Sequence, residues 1–273
     1  MFGFSDAPEA MADMTDQATG LLTGKTCVVM GVLNKWSIGW AIAEAMANAG
    51  GTIAITYLDE RSKREATAFT TSFPGSFAYQ VDVESDESLD AFGVDLQSQF
   101  GTIDALVHSI GFAPKSELEN RFLETSREGF KIALSVSAYS LIAATQRVAP
   151  LMPNGGSIST LTYLGSDRAF PRYNVMGVAK AALESAVRYL AADLGEQGIR
   201  VNAISAGPVK TAAARGIPGF MDMKDALTER AAIKSVFTAE KVAGLAVFLA
   251  SDWSQAITGE TIFVDNGFHM MGV

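Results

Sequence analysis

The sequence has few of the residues that bind metals or cross-link a chain. Cys27 is the only cysteine among 273 residues, which excludes an intrachain disulfide and a zinc cluster of thiolates. The two histidines, His108 and His269, lie far apart and lack the H-x-x-x-H spacing that places two ligands on one helix face. We therefore expect no metal site, and we expect Cys27, which lies in an apolar run, to be a buried core thiol.

Basic charge and long apolar runs are also scarce. Lys and Arg number 21 against 30 Asp and Glu, a net charge of -9, so the chain lacks the broad positive field that nucleic acid or anionic lipid requires. No window approaches the roughly 18 continuous apolar residues of a transmembrane helix. Residues 1–20 contain acidic residues and no Lys or Arg, unlike a signal peptide. We expect a cytoplasmic protein with no membrane or nucleic-acid partner.

The remaining composition is ordinarily globular, with 48% hydrophobic and 19% charged residues. From Lys25 onward, short β-rich runs alternate with segments of helical periodicity, the pattern of parallel βαβ units. We predict an α/β fold, a single Rossmann-like, doubly wound domain over residues 23–273. Seven strands are expected, at 26–32, 52–57, 76–83, 103–110, 156–162, 199–205 and 261–265. Helices are expected near 38–49, 60–72, 85–99, 127–149, 172–194 and 238–250.

Two segments fall outside this alternation. Residues 1–22 form an N-terminal extension, and the sequence does not decide between a flexible segment and one that lies on a neighbouring subunit. Residues 207–236 contain two prolines and three glycines between a strand and a helix. A connection of that length is more often a binding lid than filler, so we predict a substrate-binding lid there.

The first strand-to-helix turn is a candidate phosphate site, because ligands of doubly wound sheets bind beyond the carboxyl ends of the strands. It begins at Gly31 in GVLNKWSIG, and Gly31 and Gly39 are eight residues apart, not in the G-x-G-x-x-G pattern. In a purely structural interpretation Gly31 turns the chain and Ser37 caps the helix; a nucleotide site is compatible with both roles. The third predicted strand ends at residues 82–83 and the fourth at 109–111. In a nucleotide-binding fold these strand ends would lie near the adenine and the ribose; the alternative is that they are ordinary turns.

The end of the second strand bears on the choice of cofactor. A 2′-phosphate needs Arg or Lys directly at that position, whereas this chain has Leu58, Asp59 and Glu60. The pattern favours NADH. Basic residues at 61, 63 and 64 keep NADPH as the alternative.

Tyr173 and Lys180 are separated by seven residues in YNVMGVAK. On a helix this spacing places both on one face, roughly 10 Å apart along the axis, too far for direct contact. A cofactor ribose could join them, with the lysine holding its hydroxyls. The alternative is a surface tyrosine and a snorkelling lysine on an amphipathic helix. The core stripe of that helix would then be Val175, Val178, Ala182, Leu183, Ala186 and Leu190.

Several motifs together identify a family. They are GVLNKWSIGWAIA from Gly31, VHSIGFAP at 107–114, TSREGFKIA at 125–133, LTYLG at 161–165, PRYNVMGVAK at 171–180, RVNAISAGPVKT at 200–211 and VDNGF at 264–268. Over residues 23–268 the chain resembles the divergent short-chain dehydrogenase/reductases, and within them the bacterial enoyl-acyl-carrier-protein reductases. Ordinary ketone reductases of the wider family have Y-x-x-x-K, but Met176 stands four residues before Lys180.

The resemblance implies roles for individual residues. Tyr173 would hydrogen-bond the substrate thioester carbonyl, Tyr163 would be the second active-site tyrosine, Lys180 would hold the nicotinamide ribose, and Ala113 would touch the substrate. The residues that it implies at the cofactor are Gly31, Ser37, Ile38, Leu58, Asp82, Val83, Ile110, Lys180, Val209, Lys210, Thr211, Ala212 and Ala213.

The implied reaction is the reduction of a trans-2-enoyl thioester by hydride from NADH, with NADPH less favoured, in fatty-acid elongation. The implied partners are acyl carrier protein and three further copies of the chain, with helix 127–149 and the C-terminal tail as interface pieces. The lid departs from relatives that carry basic residues there, because it contains Pro218, Met221 and Asp222; the carrier-protein surface is left undefined. Two alternatives stay open, a 3-oxoacyl or ketone reductase and a catalytically silent dinucleotide-binding protein.

Overall fold

The computed structural model describes residues 20–209 and 229–272. Seven strands form one parallel sheet in the order β3-β2-β1-β4-β5-β6-β7, which confirms the predicted doubly wound sheet. The strands are β1 (Thr26–Met30), β2 (Thr52–Tyr57), β3 (Phe77–Gln80), β4 (Ala105–His108), β5 (Gly156–Thr162), β6 (Ile199–Ala206) and β7 (Thr261–Val264). Because all are parallel, their carboxyl ends lie at one edge.

Helices cover both faces of the sheet. In the described residues they are α1 (Ile38–Asn48), α2 (Glu60–Ser72), α3 (Asp86–Phe100), α4 (Lys115–Glu119), α5 (Arg127–Leu134), α6 (Ser140–Val148), α7 (Asn174–Leu194) and α8 (Ala239–Ala250). The alternation of side chains along β1 feeds two cores. Cys27 and Val29 pack with α1, α2 and α8, and Val28 and Met30 pack with α3, α6 and α7. Cys27 is fully buried, as expected.

Several predicted strands are shorter in the structure, and β3 and β4 lose the most: Phe77–Gln80 instead of 76–83 and Ala105–His108 instead of 103–110. The helices differ from the prediction in three places. The helix predicted at 127–149 is interrupted by a π-helical turn over Ser135–Tyr139, where the Ser140 hydroxyl donates to the Val136 carbonyl at 2.6 Å and competes with regular helical pairing. The helix predicted from 172 begins at Asn174. Helix α4 was not predicted, because five residues are too few to show helical periodicity.

One residue of the predicted N-terminal extension lies inside the fold. Leu22, the last residue of the predicted extension, is fully buried, and its N–H donates to the Ala49 carbonyl at 2.9 Å, so it belongs to the folded unit.

In the described part of the chain, the helical stretch Arg127–Leu151 is long and apolar enough to span a membrane by composition. However, 56% of its most apolar window is buried inside the fold, as in a core helix.

The chain reverses its direction of winding between β1 and β4, which makes the edge beyond these strands the topological switch point. Here Gly31 has φ of +79°, and a Cβ on it would lie 2.3 Å from the Ser109 carbonyl oxygen. Its N–H donates to the Thr56 hydroxyl at 3.1 Å. The turn after β1 therefore lies directly on the turn after β4, and only glycine fits between them.

Replacement of Gly31 by alanine tests this close approach. Gly24 has the same φ of +79° but open space around its α-carbon, so Gly24→Ala should cost about 1–2 kcal/mol for the left-handed backbone alone. Gly31→Ala adds a backbone clash and should lose a further 1–3 kcal/mol or so. Urea unfolding measures both, and equal losses would contradict the steric argument.

Candidate active site

Two tyrosines meet beyond the carboxyl end of β5. Tyr163 follows the strand, Tyr173 precedes α7, and their rings pack edge to face with centroids 5.0 Å apart and planes at 69°. Tyr163 also packs against Phe170 at 5.1 Å. Ala113, after β4, is buried in the same cluster. The structure thus brings together the three residues that the family resemblance implies at the substrate.

Close backbone packing sets the position of Tyr173. A Cβ on Gly165 would lie 2.4 Å from Cδ1 of Tyr173, and a Cβ on Gly177 would lie 2.6 Å from the Gly165 carbonyl oxygen. The turn after β5 therefore rests on the first turn of α7 without intervening side chains. The Tyr173 ring occupies the space that a larger residue at 165 would take.

The backbone on both sides of Tyr173 is unusual. Arg172 and Asn174 are non-glycine residues with φ of 63° and 42°, in the left-handed region that costs free energy for such residues. The Asn174 side chain compensates by donating to the carbonyls of Asn120 at 2.8 Å and Glu117 at 3.2 Å. Tyr173 is consequently tied to the end of α4 as well as to α7.

Both tyrosines are phenols at neutral pH. Burial raises the pKa of Tyr163, with the carboxylate of Asp265 adding to the effect. Burial also raises the pKa of Tyr173, followed by the influence of Tyr163 and Glu184. The Tyr163 hydroxyl is buried and has no hydrogen-bond partner among the described residues. Since buried polar groups are almost always paired, this hydroxyl is suited to a ligand.

Lys180 is buried, with only 7% of its surface exposed, so the alternative of a snorkelling surface lysine is wrong. Its Nζ donates to the Leu161 carbonyl at 2.7 Å and lies 3.3 Å from the position of a Cβ on Gly111. Burial lowers its pKa to about 8, against the opposing effect of Glu184. The ammonium group thus sits between the ends of β4 and β5, where a cofactor ribose would lie in a doubly wound fold.

The predicted phosphate turn has the expected local geometry. Ser37 caps α1: its hydroxyl accepts from the Trp40 N–H at 3.1 Å and donates to the Asn34 carbonyl at 2.7 Å. Ile38 is the first helical residue, and the first turn of α1 has no acidic residue. The start of α1 is thereby compatible with an anion.

The remaining predicted cofactor residues lie along the same edge. Leu58 is 49% exposed after β2. The backbone N–H of Glu84 donates to Oδ1 of Asp82 at 2.9 Å, while Val83 and Ile110 are partly buried against the core. Val209 is buried after β6. Four predicted residues, Lys210, Thr211, Ala212 and Ala213, lie outside the described residues.

Asp59 has a structural task at the end of β2. Its carboxylate caps α2 by accepting from the Ser62 hydroxyl at 2.6 Å and from the Ser62 N–H at 2.8 Å. These two hydrogen bonds, the hydroxyl first, lower the pKa of Asp59. The residue therefore remains an anion near the position where an additional cofactor phosphate would need a cation.

Sequence reasoning missed three side chains that support the site. Ser137, in the π-helical turn, accepts from the Phe112 N–H at 2.9 Å and donates to the Phe112 carbonyl at 3.0 Å, which holds the loop that carries Ala113. His108 is fully buried between the hydroxyls of Thr160 and Ser140, at 3.0 and 2.8 Å. Glu184 accepts from Thr162. Of these three residues, only His108 could have been found from the sequence, because it is a polar residue at the end of an apolar strand.

A cleft lies at the opposite edge of the sheet from the tyrosines. Among its lining residues are Lys25, Asp104, Arg200 and Asp252, close to the amino ends of β1, β4 and β6. The ion pair between Lys25 and Asp252, at 2.9 Å, lies in it. Because ligands of this fold bind at the carboxyl edge, we place the site at the tyrosines rather than in this cleft.

His108 should make the protein sensitive to acid. Burial, with the charge of Lys180 second, lowers its pKa from 6.5 to about 3. Between these values the unfolded chain binds a proton that the folded chain does not, so stability falls as pH falls below about 6.5. Between pH 7 and 5 the loss from this group is about 2 kcal/mol.

Urea unfolding at the two pH values tests this, with His108→Gln as the variant. The amide can keep hydrogen bonds to both hydroxyls but does not titrate. Whatever its stability at pH 7, the variant should lose about 2 kcal/mol less than the wild type on acidification. Equal losses in the two proteins would show that His108 does not control the acid response.

The parallel sheet and the glycine turn at its switch point define a doubly wound fold of the dinucleotide-binding class. A family model described as Enoyl-(Acyl carrier protein) reductase matches residues 31–269. The chain is 46% identical over 254 residues to the NADH-named enoyl-acyl-carrier-protein reductase of Bacillus cereus, covering 92% of this chain and 99% of that protein.

Two further comparisons agree. The chain is 45% identical over 250 residues to the NADPH-named enoyl-acyl-carrier-protein reductase of Staphylococcus aureus, covering 91% of this chain and 98% of that protein. The crystal structure of the Bacillus cereus enzyme with NADP+ and indole naphthyridinone matches with a TM-score of 0.91 at 46% identity, covering 93% and 100% of the two chains. This chain therefore belongs to the enoyl-acyl-carrier-protein reductase family, as its motifs predicted.

Proposed function

We propose that this protein reduces the trans-2 double bond of enoyl-acyl-carrier-protein thioesters with NADH, the last step of the fatty-acid elongation cycle. The observation that carries the proposal is the buried hydroxyl of Tyr163, which has no partner among the described residues and lies beside the phenol of Tyr173. Two neutral donors in an apolar cluster suit an oxygen that gains negative charge during reaction. Family membership supports the same activity.

The residues present fit a dinucleotide. Gly31 packs against the Ser109 backbone and contributes no side chain at the switch point, α1 begins beyond this turn, and Lys180 lies at the neighbouring strand ends. When bound, the cofactor supplies a hydride. Gly31, Ser37 and Ile38 would hold its phosphates, Leu58, Asp82, Val83 and Ile110 its adenosine, and Lys180 its nicotinamide ribose. Residues 209–213 would complete the site.

The chain's own contribution is electrostatic. Hydride addition at the β-carbon of the thioester moves an electron pair to the carbonyl oxygen, and the Tyr173 hydroxyl would stabilise that charge by donating a hydrogen bond. A raised pKa keeps the hydroxyl protonated for this task. Tyr163 would provide the second hydroxyl, and Ala113 would contact the acyl chain. The α-carbon then takes a proton, which completes the reduction.

NADH is favoured over NADPH by the end of β2. Leu58 is exposed and apolar, and the Asp59 carboxylate is held in the α2 cap, so an anion rather than a cation stands near the 2′ position of the ribose. Relatives named for either cofactor occur at similar identity. NADPH is accordingly the second candidate.

The partners and the location follow from the same proposal. Acyl carrier protein would deliver the thioester beside the predicted lid at 207–236. Exposed apolar side chains on the helix near 127–149 and in the C-terminal tail, namely Phe130, Tyr139 and Met270, support assembly into a homotetramer. We place this tetramer in the cytoplasm, where the elongation cycle would supply its substrate.

A substrate pair tests the reaction directly. Loss of NADH absorbance should occur with a crotonyl or longer trans-2-enoyl thioester and not with a 3-oxoacyl thioester, because Met176 replaces the tyrosine of the ketone reductases. Parallel assays with NADPH should be slower at equal concentration. Activity on the ketone alone would identify the ordinary reductase, and NADH binding without turnover would identify a silent dinucleotide-binding protein.

Substitutions separate the two roles in the tyrosine–lysine pair. Tyr173→Phe removes a donor to the developing charge and should lower kcat about 100-fold or more with little change in the Kd of NADH. Lys180→Met should instead weaken NADH binding. Tyr189→Phe, on the 73% exposed tyrosine of α7, is the matched control and should behave as wild type. Small, equal effects of the first two changes would make the pair structural.

A further inference from the structure

Glu184 forms a contact between β5 and α7 that the reaction above does not use. It lies one helical turn after Lys180 and accepts from the Thr162 hydroxyl at 2.6 Å. Thr162 stands between Leu161, whose carbonyl receives the Lys180 ammonium, and Tyr163. Glu184 and Lys180 therefore hydrogen-bond adjacent residues of the same strand end, Thr162 and Leu161.

Glu184 and Lys180 lie on the same side of α7. Residues four apart on a helix are neighbours on one face, so the Glu184 carboxylate is presented on the face of α7 that carries Lys180. Glu184 is half-buried, where charges interact more strongly than in water.

Among the described residues, four other titratable groups lie at this end of the sheet. They are His108 on β4, Tyr163 after β5, Tyr173 before α7 and Asp265 after β7. The histidine is neutral because its pKa is about 3, and both tyrosines are neutral phenols. The Asp265 carboxylate accepts from the N–H groups of Gly267 and His269 at 2.9 and 2.8 Å, and its charge acts on Tyr163 rather than on Lys180. Glu184 is the group that opposes the effect of burial on Lys180.

We propose that Glu184 is a positioning residue that acts through Lys180, keeping the buried lysine in the ammonium form that can donate to cofactor ribose hydroxyls. The same carboxylate disfavours a tyrosinate at Tyr173 and so preserves the phenol as a donor. The inference rests on the proposed function for the ribose-binding role of Lys180. Its statement about the charge of Lys180 can be measured without cofactor or substrate.

Glu184→Gln is the informative variant. The amide oxygen can still accept from Thr162, so the junction of β5 and α7 is kept while the charge is lost. Asp193→Asn, at an exposed carboxylate further along α7, is the matched control for a change of net charge. Glu184→Asp retains the charge on a shorter side chain and should restore part of the wild-type behaviour.

Two measurements apply to each protein. The first is an NMR titration of the Lys180 side chain in cofactor-free protein, followed at its 13Cε resonance. That resonance is assigned as the one missing from the spectrum of Lys180→Met. The second is the Kd of NADH from near-neutral to alkaline pH. In Glu184→Gln the lysine midpoint should fall by about one pH unit. NADH affinity should begin to fall at a correspondingly lower pH, reaching a roughly tenfold deficit while remaining near wild type at the acidic end.

The outcomes are distinct. A lysine midpoint in Glu184→Gln that equals those of wild type and Asp193→Asn overturns the inference, as does an equal loss of NADH affinity at every pH. If the lysine midpoint of Glu184→Gln is shifted but the wild-type protein binds no NADH, the proposed function is overturned. The relation between the charges of Glu184 and Lys180 is then still supported. Rescue by Glu184→Asp, together with the shift in the pH profile, supports it over a purely structural role.

Discussion

The structure of the site depends on one buried charge. An ammonium group removed from water must be compensated by oxygen atoms, and Lys180 donates to the Leu161 carbonyl for this purpose. Glu184 accepts from Thr162 at the next residue of the strand, so two side chains of α7 hold that helix against the end of β5. The same junction places Tyr173 against Tyr163. The roles proposed for the lysine in cofactor binding and for the tyrosines in carbonyl polarisation would therefore share one structural support.

The nucleotide end uses helix starts for two purposes at once. Ser37 satisfies the backbone of α1 and leaves the start of the helix compatible with phosphate, whereas Asp59 satisfies α2 with a full negative charge. The two caps are equivalent for folding but opposite for ligands. In the proposed cofactor site, a serine cap at the switch point would accept the phosphates of the dinucleotide, and an aspartate cap after β2 would disfavour an additional 2′-phosphate.

The alternation of apolar runs predicted the parallel sheet, because strand and helix periodicity are local properties. The seven-residue spacing of Tyr173 and Lys180 was equally local, and the motifs around it gave the family. Features that depend on contacts between distant segments were not predicted: α4 is bound by Asn174, Phe112 binds Ser137 in the π-helical turn, and His108 binds Ser140 at the start of α6. The expected core stripe of α7 was wrong in part, since Val178, Ala182, Ala186 and Leu190 are only partly buried while Lys180 is buried.

The left-handed residues on either side of Tyr173 have a kinetic meaning. A phenol on an ordinary helix can sample several orientations, and each catalytic cycle must then select the productive one. Here Arg172 and Asn174 fix the direction of the chain before and after the tyrosine, and the ring packs against Tyr163 and the backbone of Gly165, so the phenol is held in place once the protein has folded. In the role proposed for Tyr173, the conformational search would be completed once per molecule rather than once per turnover, which is the advantage that preorganisation gives to a catalyst.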